Sequence, residues 1–179
     1  MTAFQGNPHL KRHSAVRRKI LKIPDTRLRM VSKPQVSFNK ELQQLAADMA
    51  ETMYAAKGIG LAAPQIGVDR RVIVADVSDS QDSLHVLVNP VIVDRGGSAS
   101  IGEGCLSIPN AYAKVNRSAW VTVGGCDANG SHIEVSADGM LAMVLQHEID
   151  HLDGILFFDH LAERTQRALG LTDAVRQMR

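Results

Sequence analysis

Gln146-His147-Glu148-Ile149-Asp150-His151-Leu152-Asp153-Gly154 is the stretch around which the chain is organised. It holds the pattern HExxH. Residues four apart share a helix face, so His147 and His151 would aim two imidazoles at one spot. Two neutral imidazoles at that spacing suit a divalent transition metal, and Glu148 beside them can move protons for its water. The motif leaves a third ligand to be found. Familiar zinc peptidase patterns place it downstream, one as HExxHxxGxxH. Gly154 sits at the right offset, but the last position is Phe157, which cannot ligate. Asp159, His160 and Glu163 fit no known spacing.

Upstream stands Cys105, in Gly102-Glu103-Gly104-Cys105-Leu106-Ser107-Ile108-Pro109. A thiolate is a strong ligand for zinc or ferrous iron. The flanking glycines let the backbone pass close to something. The bland reading of a lone cysteine is a small buried hydrophobe, and Cys126 in a hairpin strand fits that better. A third unusual stretch is Gly58-Ile59-Gly60-Leu61-Ala62-Ala63-Pro64-Gln65. Gln65 is its only long polar side chain. Its amide either bonds nearby backbone or offers its NH₂ to a developing oxyanion.

The bulk numbers bound the rest. The chain has 179 residues, with 45% hydrophobic and 22% charged, which favours one soluble globular domain. Aromatics are 4%, so the core must rest on aliphatic residues and Met. A formal net charge of +1 argues neither for nor against a polyanionic partner, and no specific nucleic acid is expected. Two cysteines point to free thiols and a reducing compartment. No apolar run is long enough for a membrane span, and the N-terminus lacks a secretory signal's apolar core.

Residues 1–19 form a basic extension, expected to be flexible, and 20–179 a single catalytic domain. Asp25 should cap a short helix. Asn39 should cap a longer one, with an apolar stripe from Leu42 to Met53 and a stop at Gly58. The glycine-rich stretch 58–67 reads as an extended loop. Strands are expected over 71–77, in two runs broken at Asn89–Pro90, and over 120–127 and 132–136 around an Asn129–Gly130 turn. Residues 101–109 read as semi-extended. Asp138 should cap the HExxH helix, running to about 152. A helix over 161–169 should end at Gly170, and Thr172 should cap a terminal one. The order gives an α+β fold, with largely antiparallel sheets packed around a central helix that bears HExxH.

The three unusual stretches together resemble the peptide deformylases, a family with GxGxAAxQ, EGCLS and QHExDH in that order. The resemblance covers about residues 20–161. It implies a peptide deformylase-like fold and a metal held by Cys105, His147 and His151, with water in the fourth position. The metal would be Fe²⁺ natively, replaceable by Zn²⁺, Ni²⁺ or Co²⁺. Glu148 would be the general acid/base. The Gln65 side chain and the Leu106 N–H would stabilise the oxyanion. Met140, Met143 and Val144 precede His147 by seven, four and three residues and share its face, an apolar wall suited to a methionine side chain. The resemblance assigns this wall, with Ile101, to the methionine pocket. It gives Ile59 and Gly60 backbone bonds to the substrate. The implied reaction is hydrolysis of the N-formyl group from the initiator formyl-methionine of nascent polypeptides, releasing formate.

Two departures are visible. Many relatives carry Arg shortly after the CLSIP stretch, where Tyr112 stands here, with Arg117 further on. Some have a basic C-terminal helix that docks on the ribosome. The tail here, Leu171 to Arg179, is short and mildly basic, so a transient ribosome contact through it is a weaker expectation. The compartment would be bacterial cytoplasm, or an organelle if the source is eukaryotic. The alternatives are an HExxH zinc endopeptidase, which leaves Cys105 and Gln65 unexplained, and a non-catalytic binding module.

Overall fold

The computed structural model describes residues 15–178. Helix α1, Lys40–Ala55, starts where Asn39 Oδ1 accepts the Leu42 N–H at 3.1 Å. Its stripe of Leu42, Ala46, Met49, Ala50 and Met53 is buried. The helix stops slightly early. Lys57 takes the left-handed conformation (φ 56°), and Gly58 N–H returns to the Met53 carbonyl at 2.9 Å, closing a Schellman turn. Gly58 is needed for another reason: a Cβ there would lie 2.7 Å from Leu106 Cδ1.

The stretch expected to be a loop is more ordered. Gly60–Ala62 forms strand β1, and Ala63–Ile66 a 3₁₀ turn. β1 pairs antiparallel with β2, Val72–Ala75, with Leu61 opposite Val74. β2 pairs with β3, His85–Gly96, which is one strand where two were expected. Asn89 adopts φ 53° and the register slips between Val88 and Val91, so Asn89–Pro90 forms a bulge rather than a break. Asn89 anchors it by accepting from Gln35 N at 2.7 Å and donating to Gln35 O at 2.8 Å.

β4, Ala99–Cys105, and β5, Ile108–Arg117, form a separate two-stranded sheet. The strand β5 alternates inward Ala111, Ala113 and Val115 with outward Asn110, Tyr112, Lys114 and Asn116, but two of its three apolar positions are alanine, a poor strand former, so its sequence announces it weakly. β6, Trp120–Cys126, and β7, His132–Asp138, flank the Asn129–Gly130 turn as expected. The large sheet runs β1-β2-β3-β6-β7, antiparallel throughout.

Helix α2, Gly139–Leu152, lies against this sheet, and every residue from Ala142 to Ile149 is buried. Asp138 holds the N-cap position, but its side chain makes no capping bond. The chain then turns through Phe157–His160 to α3, Glu163–Ala168, and α4, Thr172–Gln177. Leu171, not Thr172, is the α4 cap residue. One core cluster joins α2 to the large sheet, another joins α1 to β1 and β2, and a third gathers β5, Phe157, Phe158 and α4. The α+β architecture around a buried HExxH helix is as the sequence implies.

Of the basic extension, residues 1–14 lie outside the described residues. The rest docks on α1: Val16 N–H donates to Asp48 Oδ1 at 2.8 Å, Arg17 pairs with Glu51, and Arg18 pairs with Asp48.

Candidate metal centre

Odd-numbered residues of β4 face α2, because side chains alternate along a strand. Glu103 and Cys105 therefore arrive on the same side, against His147 and His151 from the helix. The ligand atoms of Cys105, His147 and His151 all lie within 4.8 Å of one another. Cys105 Sγ is 3.3 Å from His151 Nε2. His147 Nδ1 lies 2.8 Å from Glu103 Oε2, which leaves its Nε2 for a ligand. A thiolate and two imidazoles are a sound donor set for a divalent transition metal. A second observation fits it: Glu148 Oε2 is buried with no hydrogen-bond partner, as expected of a carboxylate whose partner is a water at the centre.

Glu103 is the residue that the sequence reading missed, although its stretch was in view. It stands two before Cys105 on a strand, so the alternation alone could have pointed to it. Its carboxylate also takes Nε and Nη2 of Arg117, the latter at 3.0 Å. Arg117 reaches on to Asp150 Oδ2 at 2.8 Å, and Asp150 to His160 Nε2 at 2.8 Å. The relay thus runs from the His147 imidazole to His160, beyond the end of α2. It also commits Arg117: buried in these pairs, it is not available to a peptide. Tyr112 is exposed instead, its phenol over Gly102, where any Cβ would collide with the ring.

The electrostatics follow from this burial. Burial alone would lower the His147 pKa, but the Cys105 and Glu103 contacts outweigh it and hold it well above the usual value. Burial holds His151 well below, helped by His147 and Arg117. Glu103 is held below the ordinary carboxylate range despite its burial, by His147 and Arg117. Burial pushes Glu148 up to about 7, against the pull of His147 and Arg117. A carboxyl poised there can both take and return a proton near neutrality.

Gln65 is oriented by its own turn. Its Oε1 accepts the Ala62 N–H at 2.7 Å, so the amide nitrogen must point the other way. Nε2 donates to Ser107 Oγ at 3.2 Å and lies 3.6 Å from Cys105 Sγ. The side chain thus bonds backbone through its oxygen, as the bland reading has it, and its NH₂ faces Ser107 and Cys105. Leu106 follows Cys105 in the turn between β4 and β5, and its carbonyl accepts from Lys22 Nζ.

A cavity of about 530 Å³ opens onto these groups. Gln65, Cys105, Leu106, His147 and Glu148 line it, as do Ile59, Gly60, Met140, Met143 and Val144. Ile101 is not brought there; it packs against the core between α2 and the large sheet. The Ile59 carbonyl is committed to Asp76 N–H at 2.9 Å, while Gly60, next along the strand, turns its backbone groups away from β2. A Cβ at Gly60 would press on a Glu148 oxygen and lie 2.7 Å from Val144 Cγ1.

The downstream ligand candidates are engaged elsewhere. Asp159 pairs with Arg29, His160 with Asp150, and Glu163 with Arg167. Phe157 stacks on the His147 ring, centroids 6.3 Å apart. Cys126 lies 3.9 Å from His132 Nδ1, away from the centre.

The polypeptide deformylase family model matches residues 17–167. The chain belongs to that family. It is similar to a peptide deformylase from Legionella pneumophila at 44% identity, over 92% of this chain and 99% of that one, with a TM-score of 0.81. The peptide deformylase from Thermus thermophilus is 40% identical over 90% of this chain and 97% of that one, also with a TM-score of 0.81. A peptide deformylase from Synechococcus elongatus in complex with actinonin is 36% identical, over 100% of this chain and 99% of that one, with a TM-score of 0.84. The chain is therefore an enzyme of a metal-dependent hydrolase family that deformylates polypeptides. Among the described residues no helix is long and apolar enough to cross a membrane.

Proposed function

We propose that the chain removes the formyl group from the N-terminal formyl-methionine of nascent polypeptides, releasing formate. The observation that carries this is the convergence of a strand thiol with two helix imidazoles. Cys105 Sγ, His147 Nε2 and His151 would hold one divalent ion, ferrous iron natively, with zinc, nickel or cobalt as replacements. Bound there, the ion supplies Lewis acidity toward water and the formyl oxygen at neutral pH. The residues do the rest. Glu148 takes a proton from the attacking water as its oxygen bonds to the formyl carbon. Charge moves onto the formyl oxygen, where Gln65 Nε2 and the Leu106 N–H donate to it. Glu148 returns its proton to the departing methionine nitrogen as the C–N bond breaks. Formate and a free amine leave. Met140, Met143 and Val144 supply the apolar wall for the methionine side chain, and Gly60 leaves room for Glu148 beside it.

The setting is a reducing compartment, bacterial cytoplasm being the simplest. A ribosome contact through the tail has little to rest on: α4 turns Leu171, Val175 and Met178 into the core and leaves Arg176 outside. The test of the function is formate release from an N-formyl-methionyl peptide by protein purified anaerobically. Release is expected with iron, nickel or cobalt supplied, together with loss of both metal and activity in Cys105→Ala. No formate with any of the three metals, or full metal and activity in that variant, would sink the reading.

A further inference from the structure

The mouth of the cavity carries positive charge that the chemistry above does not use. Lys57 lines it. The Schellman turn at the end of α1 fixes Lys57 in the left-handed conformation (φ 56°), and its side chain is exposed. Among the described residues Lys57 forms no ion pair with a carboxylate. Lys22 is also exposed, and its ammonium donates to the carbonyl of Leu106. Gly58, the neighbour of Lys57, lies directly against the Leu106 side chain. The two lysines therefore stand on one side of the mouth. Among the described residues Glu148 supplies the only carboxylate in the lining, and it is buried.

A peptide whose formyl-methionine sits at Glu148 and that pairs antiparallel with Gly60 runs back along the chain toward this rim. An extended chain advances about 3.3 Å per residue, and Lys57 is three residues before Gly60. We infer that Lys57, with Lys22 beside it, makes the enzyme prefer formylated peptides with an acidic side chain two or three residues after the methionine over those with a basic one. This rests on the function proposed above. The lysines sit in water, so each charge contact changes kcat/KM by roughly two- to five-fold. An acidic peptide gains and a basic one loses, which gives a ratio of roughly four to twenty-five. Rim charge acts on encounter and binding, so the effect belongs in KM, and salt should screen it.

The experiment uses the metal-loaded enzyme with formyl-Met-Ala-Glu, formyl-Met-Ala-Gln and formyl-Met-Ala-Lys peptides, C-terminally amidated. Formate release is followed at about 20 mM and about 500 mM salt. The expected order of kcat/KM at low salt is Glu, Gln, Lys, with kcat nearly equal and the spread collapsing at high salt. Lys57→Asn, which tolerates left-handed backbone, should narrow the spread. Lys57→Glu should invert it. Equal kcat/KM for all three peptides at low salt overturns this inference alone, as does a spread unchanged in both variants. Failure to deformylate any of them overturns the proposed function and the inference with it.

Discussion

Glu103 carries the sharpest prediction, because one carboxylate bonds both a side chain of the candidate metal centre and the arginine that ties the small sheet to α2. It accepts from His147 at 2.8 Å and from Arg117, with the Glu103 side chain fully buried and that of Arg117 only 5% exposed. Glu103→Gln keeps the shape but has one acceptor for two clients. If its oxygen stays with His147, its NH₂ faces the guanidinium, donor against donor. Removing one partner of a buried ion pair costs about 3–5 kcal/mol. Asp150 still holds Arg117, at 2.8 Å, so the lower end is expected. At roughly 2–4 °C per kcal/mol for a chain of this size, the metal-free variant should melt at least about 6 °C lower. Metal affinity should fall about 10- to 100-fold, the usual cost of removing a hydrogen-bond partner of a ligand. Thermal unfolding by circular dichroism and chelator competition with cobalt measure the two effects separately. The double variant Glu103→Leu with Arg117→Met separates their causes. It removes both charges, so much of the lost stability should return, yet His147 Nδ1 still lacks its acceptor and affinity should stay low. A double variant that binds cobalt as tightly as the parent would refute this account of Glu103, as would a single variant that loses neither property.

Three further outcomes are expected. Gly60→Ala should keep its metal, because no ligand moves, but lose about 100-fold in activity as the new methyl displaces Glu148; metal content with steady-state kinetics decides it, and wild-type turnover would contradict the contact. Gln65→Leu should lower kcat roughly 10²- to 10³-fold with metal retained, and should cost about 1–3 kcal/mol by stranding the buried Ala62 N–H; an unchanged kcat would remove Gln65 from the reaction. Burial would raise the Asp76 pKa, but bonds from Ser78, Tyr54 and Ser83 hold it below the ordinary value of 3.8. A depressed folded pKa stabilises above the unfolded pKa and is lost as pH falls through the folded one. Asp76→Asn should therefore flatten the loss of stability below about pH 4 in urea titrations, and an unaltered acid limb would count against it.

The readable parts of the sequence are those whose cause is local. Asn39, the stripe on α1, the Asn129–Gly130 turn and the HExxH spacing each act within a few residues, and each is found as expected. The misreadings arise where a partner elsewhere in the chain decides. Asn89–Pro90 looks like a break because proline cannot donate to a ladder, yet the neighbouring strands carry β3 through it as a bulge. Gly58–Gln65 looks like a loop because its glycines carry no strand preference; β2 supplies the pairing, and Leu106 and Glu148 supply the need for glycine. Asn110–Asn116 alternates as a strand should, but alanine fills the inward positions 111 and 113 and asparagine two of the outward ones, residues with little strand preference, so the pairing with β4 decides. The resemblance puts Ile101 in the pocket with the α2 residues; β4 sets it, partly buried, against the cluster that holds Met143 and Val144.

The same distinction explains why Cys105 had to be found by its surroundings. The two histidines are placed by one helix and are visible as a spacing. Cys105 comes from the small sheet, which joins the centre only because β4 docks on α2. Nothing local to residues 99–117 ensures that docking. The buried relay of His147, Glu103, Arg117 and Asp150 does, since it ties β4 and β5 to α2 on the side away from the cavity. An ion pair of this kind contributes little net stability over an apolar substitute but penalises any other register strongly. In this chain the register is what matters: a one-residue slip of β4 would turn Cys105 and Glu103 away from the helix and put glycines in their place. The glycines at 102 and 104 make such a slip sterically easy, and the charge relay opposes it.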